Sequence, residues 1–414
     1  MKYNLLQQIK WLNLQRQITL QTFKTSNKTQ TMKRLILFLL TTIGLFATSC
    51  NNEAAETPSI ELSHNTIEAW YNSEIYTVEV KSNCSWEATT DCEWITLINK
   101  EGSKGFNEIK FSPATNESSE YRTATITVYA KGYSNVVQTI TVTQSILSED
   151  YFKINYTSTD NDIVTPYSTA AFDAEIVSNT YQNGVGTILF STPITKVGEM
   201  AFCECANLKS VSLPNSVREL GGWAFFCCFY LEKIELSNRL STIGDAAFSS
   251  CSELHDITIP ESVVTIGDSA FYGCSGMWGY YGKFASADNR CLVIDNVLRH
   301  FAPKGLDEYN IPEGITTIAH DAFYDSLRLK KVTIPQSVKT IEEYAFYYCE
   351  SLKTVHCKPT TPPSLGVSAF DNSDDGTDKP IGCKILVPNA SVDAYKSATD
   401  WKRYQAYIQA DDTL

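Results

Sequence analysis

The chain has 414 residues, 43% hydrophobic and 20% charged, with a formal net charge of −13. That length suits about two or three domains. The acidic balance excludes the electropositive footprint of a nucleic-acid binder and disfavours an anionic membrane surface, and no apolar run is long enough to span a bilayer.

In chain order, residues 1–31 are polar with scattered Leu and Ile, and read as an upstream over-extension of the reading frame, disordered if made. Met32-Lys33-Arg34 is then a basic n-region, and Leu35 to Phe46 is an apolar stretch too short to cross a membrane. Ala47-Thr48-Ser49-Cys50 follows. Small residues before a cysteine resemble the lipobox of bacterial lipoproteins. The resemblance implies a signal peptide over 32–49, lipidation of Cys50, and a polar linker over 50–57. An ordinary signal peptide with a chance cysteine is the alternative.

Residues 58–145 alternate apolar and polar side chains at period two, as in Tyr76-Thr77-Val78-Glu79-Val80, Ala124 to Tyr129 and Val137 to Thr143. Short β-branched strands separated by turn signals such as Lys131-Gly132 predict an immunoglobulin-like β-sandwich. The string NCSWEATTDCEWITL, followed by YRTATITV and TITVTQ, resembles the BACON domain, which implies carbohydrate or mucin binding, or a spacer role. Trp86 and Trp94, flanking an expected hairpin, read most simply as core residues. Cys84 and Cys92 can bridge that hairpin in an oxidising compartment, or remain thiols.

From residue 194 a phrase returns every 23 residues: ITKVGEMAFCEC at Ile194, VRELGGWAFFCC at Val217, LSTIGDAAFSSC at Leu240 and VVTIGDSAFYGC at Val263. It reappears as ITTIAHDAFYDS at Ile315 and VKTIEEYAFYYC at Val338. Such a period predicts a solenoid of stacked coils. A second phrase alternates with it, from LKSVSLP at Leu208 to LKTVHCK at Leu352, and reads as a short strand with one buried face, ended by proline. The phenylalanines Phe202, Phe225, Phe248, Phe271, Phe323 and Phe346 are expected to stack inside, with Ile-Gly forming the return turn. These phrases resemble BspA-like leucine-rich repeats, which implies a bacterial surface protein over 151–410, with 151–190 as the N-terminal cap. Val185, Ile188 and Phe190 continue the strand register 23 residues before Leu208, Val211 and Leu213. A last strand at Ile385 to Pro388 precedes a capping helix, expected to begin at Ser391 and to bury Val392, Tyr395, Trp401, Tyr404 and Ile408.

The register breaks once, between Phe271 and Leu306, where an insertion of about 275–303 carries MWGYYGKF and RCLVIDNVLRHF. The second string reads as a hairpin turning at Asp295-Asn296. Insertions in a solenoid project from one face and often carry binding. Trp278, Tyr280, Tyr281 and Phe284 are therefore candidate ligand contacts, or else the insertion's own small core.

Chemistry has few footholds. Cys205, Cys228, Cys251, Cys274 and Cys349 follow the stacked phenylalanines by three residues, with Ser326 in the sixth repeat. One thiol per coil cannot converge four ligands on a metal, so these read as buried filler. Asp371-x-Ser373-x-Asp375-Gly376 is similar to the start of an EF-hand loop, but Gly382 stands where the closing Glu belongs, so a solvated acidic loop is expected. His64, His255, His300, His320 and His356 form no catalytic motif. No cofactor and no enzyme activity are expected.

The outward strand positions remain. One row runs Thr187, Ser210, Lys233, Asp256, Glu308, Lys331, Thr354; the next runs Leu189, Ser212, Glu235, Thr258, Asn310, Thr333, His356. They suit many modest contacts with a protein, or a merely solvated face. The overall expectation is a mainly β, lipid-anchored cell-envelope protein at the outer membrane and surface-exposed, with an immunoglobulin-like sandwich, a leucine-rich repeat solenoid and a C-terminal capping helix. It is expected to bind host or bacterial surface macromolecules, protein or glycan, through the repeat solenoid without catalysis. The alternatives are glycan or mucin capture and a structural spacer.

Overall fold

The computed structural model of the chain describes residues 57–118, 120–372 and 379–411. The signal segment, Cys50 and the centre of the acidic loop lie outside the described residues. The chain forms two compact units. One gathers the segments ending at Ile67 with Ile75–Pro113 and Ala124–Val142, and the other gathers Glu68–Glu74, Ala114–Thr123 and the chain from Thr143 onward.

The first unit holds two antiparallel sheets. One orders Ile60–Leu62, Tyr76–Ser82, Gly105–Pro113 and Ile95–Asn99; the other orders Thr66–Ala69, Tyr133–Gln144, Arg122–Ala130, Trp86–Thr90 and Glu101–Gly102. Period-two burial follows from the pleat: Val78 and Val80 are buried in one strand, and Ala124, Ile126, Val128 and Ala130 in another. Lys131-Gly132 makes the expected two-residue turn, with Gly132 at φ +85°. Trp86 is fully buried, whereas Trp94 is half-buried. The expected hairpin between them is absent: Trp86–Thr90 and Ile95–Asn99 belong to opposite sheets, so the intervening residues turn a corner between layers. Cys84 and Cys92 are both free thiols.

In the second unit three hydrogen-bonded ladders hold successive coils together. The first is a parallel sheet of the expected strands, in which Ser210 pairs with Lys233 and Lys233 with Asp256. The second differs from expectation. The residue pairs before each glycine are two-residue parallel strands rather than turns: Lys196–Val197, Glu219–Leu220, Thr242–Ile243 and Thr265–Ile266. The glycines that follow are required by close approach, since a Cβ on Gly244 would lie 2.5 Å from the carbonyl carbon of Gly221. The third ladder runs through the phenylalanine turns, where Phe202 N–H donates to Ala224 O, Phe225 to Ala247 and Phe248 to Ala270.

Inside, Phe202, Phe225, Phe248 and Phe271 stack at 5.2, 5.5 and 5.4 Å between centroids, with ring planes within 11°. A second stack runs Phe301, Phe323, Phe346 and Phe370. Phe301 and Phe370 were not anticipated as members, although Ala369-Phe370 repeats the Ala-Phe pair 24 residues after Phe346.

Both ends depart from expectation. Lys153–Ser158 lies between Val185–Phe190 and Leu208–Ser212, antiparallel to both. Thr187 and Leu189 therefore pair with Asn155 and Lys153, and the outward rows do not run directly from them to Ser210 and Ser212. At the other end the single capping helix is replaced by a short α-helix, Val392–Ser397 (α1), a 3-10 turn at Lys402–Tyr407 and a strand, Ile408–Asp411. Ser391 does not cap through its side chain; its hydroxyl donates to Thr360 O. The helix stops because Ala398 is extended. Tyr395, Trp401, Tyr404 and Ile408 are nevertheless buried, and Ile408–Asp411 extends the second strand sheet parallel to Lys384–Pro388.

Candidate functional site

Alternation decides which strand residues meet solvent. In Asp256–Ile259 the burial runs exposed, buried, exposed, buried, so Asp256 and Thr258 point out while Ile257 and Ile259 enter the core. Lys233 and Glu235 flank buried Ile234 in the same way, and their side chains pair at 2.7 Å. The Lys233 ammonium, hydrogen-bonded to Glu235, holds that carboxyl below its ordinary range. Exposed pairs of this kind contribute little to stability.

The structure does not bring the candidate residues onto one continuous sheet. Lys233, Glu235, Asp256 and Thr258 lie in a seven-stranded sheet that ends with Gly279–Gly282. Glu308, Asn310, Lys331, Thr333 and His356 lie in a separate five-stranded sheet beginning at Glu308–Asn310. In the second sheet Glu308 pairs with Lys331 and Asn310 with Thr333, and the Lys331 and Glu308 side chains approach to 3.5 Å. His356 is drawn away from a ligand role in part, because its Nδ1 lies 2.6 Å from Asp411 on the final strand.

The insertion is reorganised most. Gly279–Gly282 pairs in parallel with Asp256–Ile259, 23 residues on, so MWGYYG is one more strand of the repeat sheet. Met277 and Tyr280 take the inward positions of Leu254 and Ile257, and both are fully buried. Tyr280 is therefore corrected from ligand contact to core residue. Its hydroxyl lies 2.6 Å from His300 Nδ1, and burial lowers the His300 pKa to about 3. Phe284 is half-buried and packs on the first core, with the Lys283 ammonium 5.0 Å from its ring centroid. Trp278 and Tyr281 remain exposed, at 47% and 42%. Tyr281 pairs with Thr258 and so continues the outward row. Trp278 leans on Gly305, where a Cβ would lie 2.9 Å from its ring.

The hairpin forms as expected, with Cys291–Ile294 and Val297–Phe301 turning at Asp295 and Asn296, both at positive φ. It does not project. Leu292 and Ala302 enter the first core, while Cys291, Leu298 and Phe301 enter the second.

The cysteine row has a definite task. Cys228, Cys251, Cys274 and Cys349 are buried, and each thiol donates to the carbonyl of the phenylalanine 26 residues earlier, at 3.0–3.2 Å. Burial pushes the Cys274 thiol up to about 12 and raises the others, so all stay protonated. A protonated, buried thiol is neither a nucleophile nor a metal ligand. Among the described residues no group of three or more His, Cys, Asp or Glu is placed to hold a metal ion. No helix there is long and apolar enough to cross a membrane, which says nothing of β-barrels.

Residues 175–277 and 299–383 match the family described as "BspA type Leucine rich repeat region", in six copies. Residues 85–145 match BACON, described as "Putative binding domain, N-terminal". No curated protein matches the chain. Solved structures similar to it include a Treponema pallidum leucine rich repeat protein, 24% identical, covering 53% of this chain and 80% of that one, TM-score 0.28. A leucine rich cell surface protein of Faecalibacterium prausnitzii is 18% identical, covering 59% and 94%, TM-score 0.27. A Bacteroides ovatus GH5 xyloglucanase is 22% identical over 27% of this chain; the match spans 22% of the enzyme's length, TM-score 0.20.

Proposed function

Because the chain carries a BspA-type leucine-rich repeat region behind a BACON domain, we propose that it is a non-catalytic surface binding and adhesion protein, tethered through a lipidated Cys50 and recognising host or bacterial surface macromolecules with the outer face of its first repeat sheet. The observation that carries the reading is the outward register Ser212, Glu235, Thr258, Tyr281, one side chain per coil on paired strands. Neighbouring strands are about 4.8 Å apart, so such a row suits an extended partner making repeated modest contacts. The Cys50→Ser chain, immobilised, is offered purified host matrix proteins and mucins. A partner whose binding falls at least about tenfold in a Glu235→Ala, Asp256→Ala, Tyr281→Ala chain supports the reading. Retention that ignores these substitutions, or no retention at all, removes it. Surface proteolysis of intact cells tests the outward orientation, and the mass of the mature N-terminal peptide tests the lipid.

A second reading, glycan capture, is favoured by Trp278 and Tyr281, two large aromatics exposed at the strand that ends the first sheet. Saccharide binding that survives Trp278→Ala and Tyr281→Ala together would exclude this location.

A further inference from the structure

The turns that carry the stacked phenylalanines bear a second, different surface. After three of the stacked phenylalanines, Phe271, Phe323 and Phe346, the next residue is a half-buried tyrosine: Tyr272, Tyr324 and Tyr347. Tyr272 and Tyr324 approach to 4.2 Å between ring centroids, and Tyr324 and Tyr347 to 6.2 Å in parallel stacking. Tyr348 closes edge-on against both Tyr324 and Tyr347, at 5.7 and 4.8 Å. All four are half-buried, so the cluster keeps part of its ring surface in solvent.

The carboxylates acting on the Tyr272 and Tyr324 phenols are Asp321 and Asp325. Asp325, at positive φ, acts on the Tyr272 and Tyr324 phenols and is itself acted on by Glu350, which is exposed. The nearby cationic group, His320, is already engaged: its Nε2 lies 3.0 Å from Asp321 and its Nδ1 2.9 Å from Glu343 O. Aromatic faces and carboxylates both attract a cation, and a guanidinium can lie on a ring while its edge meets a carboxylate.

We infer that this tyrosine cluster is a docking surface for an arginine- or lysine-bearing polypeptide segment, with the rings of Tyr324 and Tyr348 receiving the cation and Asp325 and Glu350 pairing with it. The surface is distinct from the strand face discussed above, and either can fail without the other. Burial raises the Asp325 carboxyl to about 6, with Glu350 adding to the rise and a hydrogen bond from Ser275 opposing it. Docking therefore weakens as pH falls through 6 and Asp325 loses its charge. At His320 burial works against the charge, but its bond to Asp321 and that carboxylate's field outweigh burial and raise its pKa.

The full chain is titrated by fluorescence anisotropy with a labelled peptide of alternating arginine and glycine at about pH 7.5 and about pH 5. Asp325→Asn and Tyr324→Leu are each expected to weaken binding roughly tenfold at the higher pH, and Asp325→Asn to flatten the loss between the two pH values. Asp325→Asn, an isosteric change at a half-buried position, keeps the test valid should Tyr324→Leu fail to fold. Equal binding by wild type and both variants would mean diffuse attraction to an acidic chain and overturns the inference. So does an absence of peptide binding, or a neutral oligosaccharide binding in its place and lost in Tyr324→Leu.

Discussion

The coils from Ile194 to Cys274 and the segment from Met277 to Phe301 solve the same problem in opposite ways. In the coils every residue type has one job repeated at each level: phenylalanine stacks, the thiol satisfies a carbonyl, and glycine admits the neighbouring backbone. In the segment between the two stacks the jobs are divided. The strand Gly279–Gly282 completes the first strand sheet, while the hairpin strand Val297–Phe301 pairs with Thr317–Ile318 and so joins the later ladder of two-residue strands. Phe271 meets Tyr280 and His300 rather than another phenylalanine, and Phe301 resumes the stack on the far side. A one-dimensional stack is only as cooperative as its nearest-neighbour interfaces, so this junction decides whether the two halves melt together.

The largest expected effect lies in the regular half. Phe248 is fully buried between two parallel rings. Phe248→Ala is expected to cost about 3–5 kcal/mol in urea unfolding. If the junction couples the halves, one transition shifts as a whole. If it does not, the variant shows two transitions, and only the first moves.

The junction itself can be addressed through pH. His300 is fully buried with a folded-state pKa near 3 against an ordinary 6.5, lowered by desolvation. The unfolded chain takes up a proton that the folded chain refuses, so this contribution is complete above pH 6.5 and is lost as pH falls toward 3. Between pH 7 and pH 5 the loss is about 2 kcal/mol, at about 1.4 kcal/mol per pH unit below 6.5. Urea melts at the two pH values should show this difference in the wild type and lose it in His300→Gln, which can still accept the Tyr280 hydroxyl. An unchanged pH dependence in the variant would remove His300 as the acid-sensitive group.

Much of this arrangement was legible from the 23-residue phrase, because periodic burial leaves a periodic sequence. The inward Leu, Val and Ile of each strand and the phenylalanine row follow directly from it. What escaped were elements whose partners lie outside the period. Lys153–Ser158 has no repeat counterpart, yet it is inserted between Val185–Phe190 and Leu208–Ser212. Tyr280 looked like part of an exposed aromatic run, although Met277 and Tyr280 stand 23 residues after Leu254 and Ile257. The capping helix was over-extended because Tyr395, Trp401, Tyr404 and Ile408 are all buried, but on three successive elements. The tyrosine cluster leaves no mark in the strand pattern, because Tyr272, Tyr324 and Tyr347 lie in the phenylalanine turns rather than at outward strand positions.

The smallest effect separates the two halves most finely. In regular coils the stacked phenylalanines are 23 residues apart, and the thiol reaches the carbonyl 26 residues back, as Cys251 reaches Phe225 O at 3.2 Å. Phe301 and Phe323 are only 22 apart, so the same reach from position 326 falls on His300. That position holds Ser326, whose buried hydroxyl has no hydrogen-bond partner. Cys251→Ala removes a donor from a buried carbonyl and is expected to cost about 1 kcal/mol. Ser326→Ala removes a hydroxyl that was buried without return and should be neutral or slightly stabilising, within about 0.5 kcal/mol. Equal losses in the two variants would show that the row acts by filling space alone. A loss confined to Cys251→Ala would show that the thiol ladder is a hydrogen-bonded device, broken where the coil spacing slips by one residue.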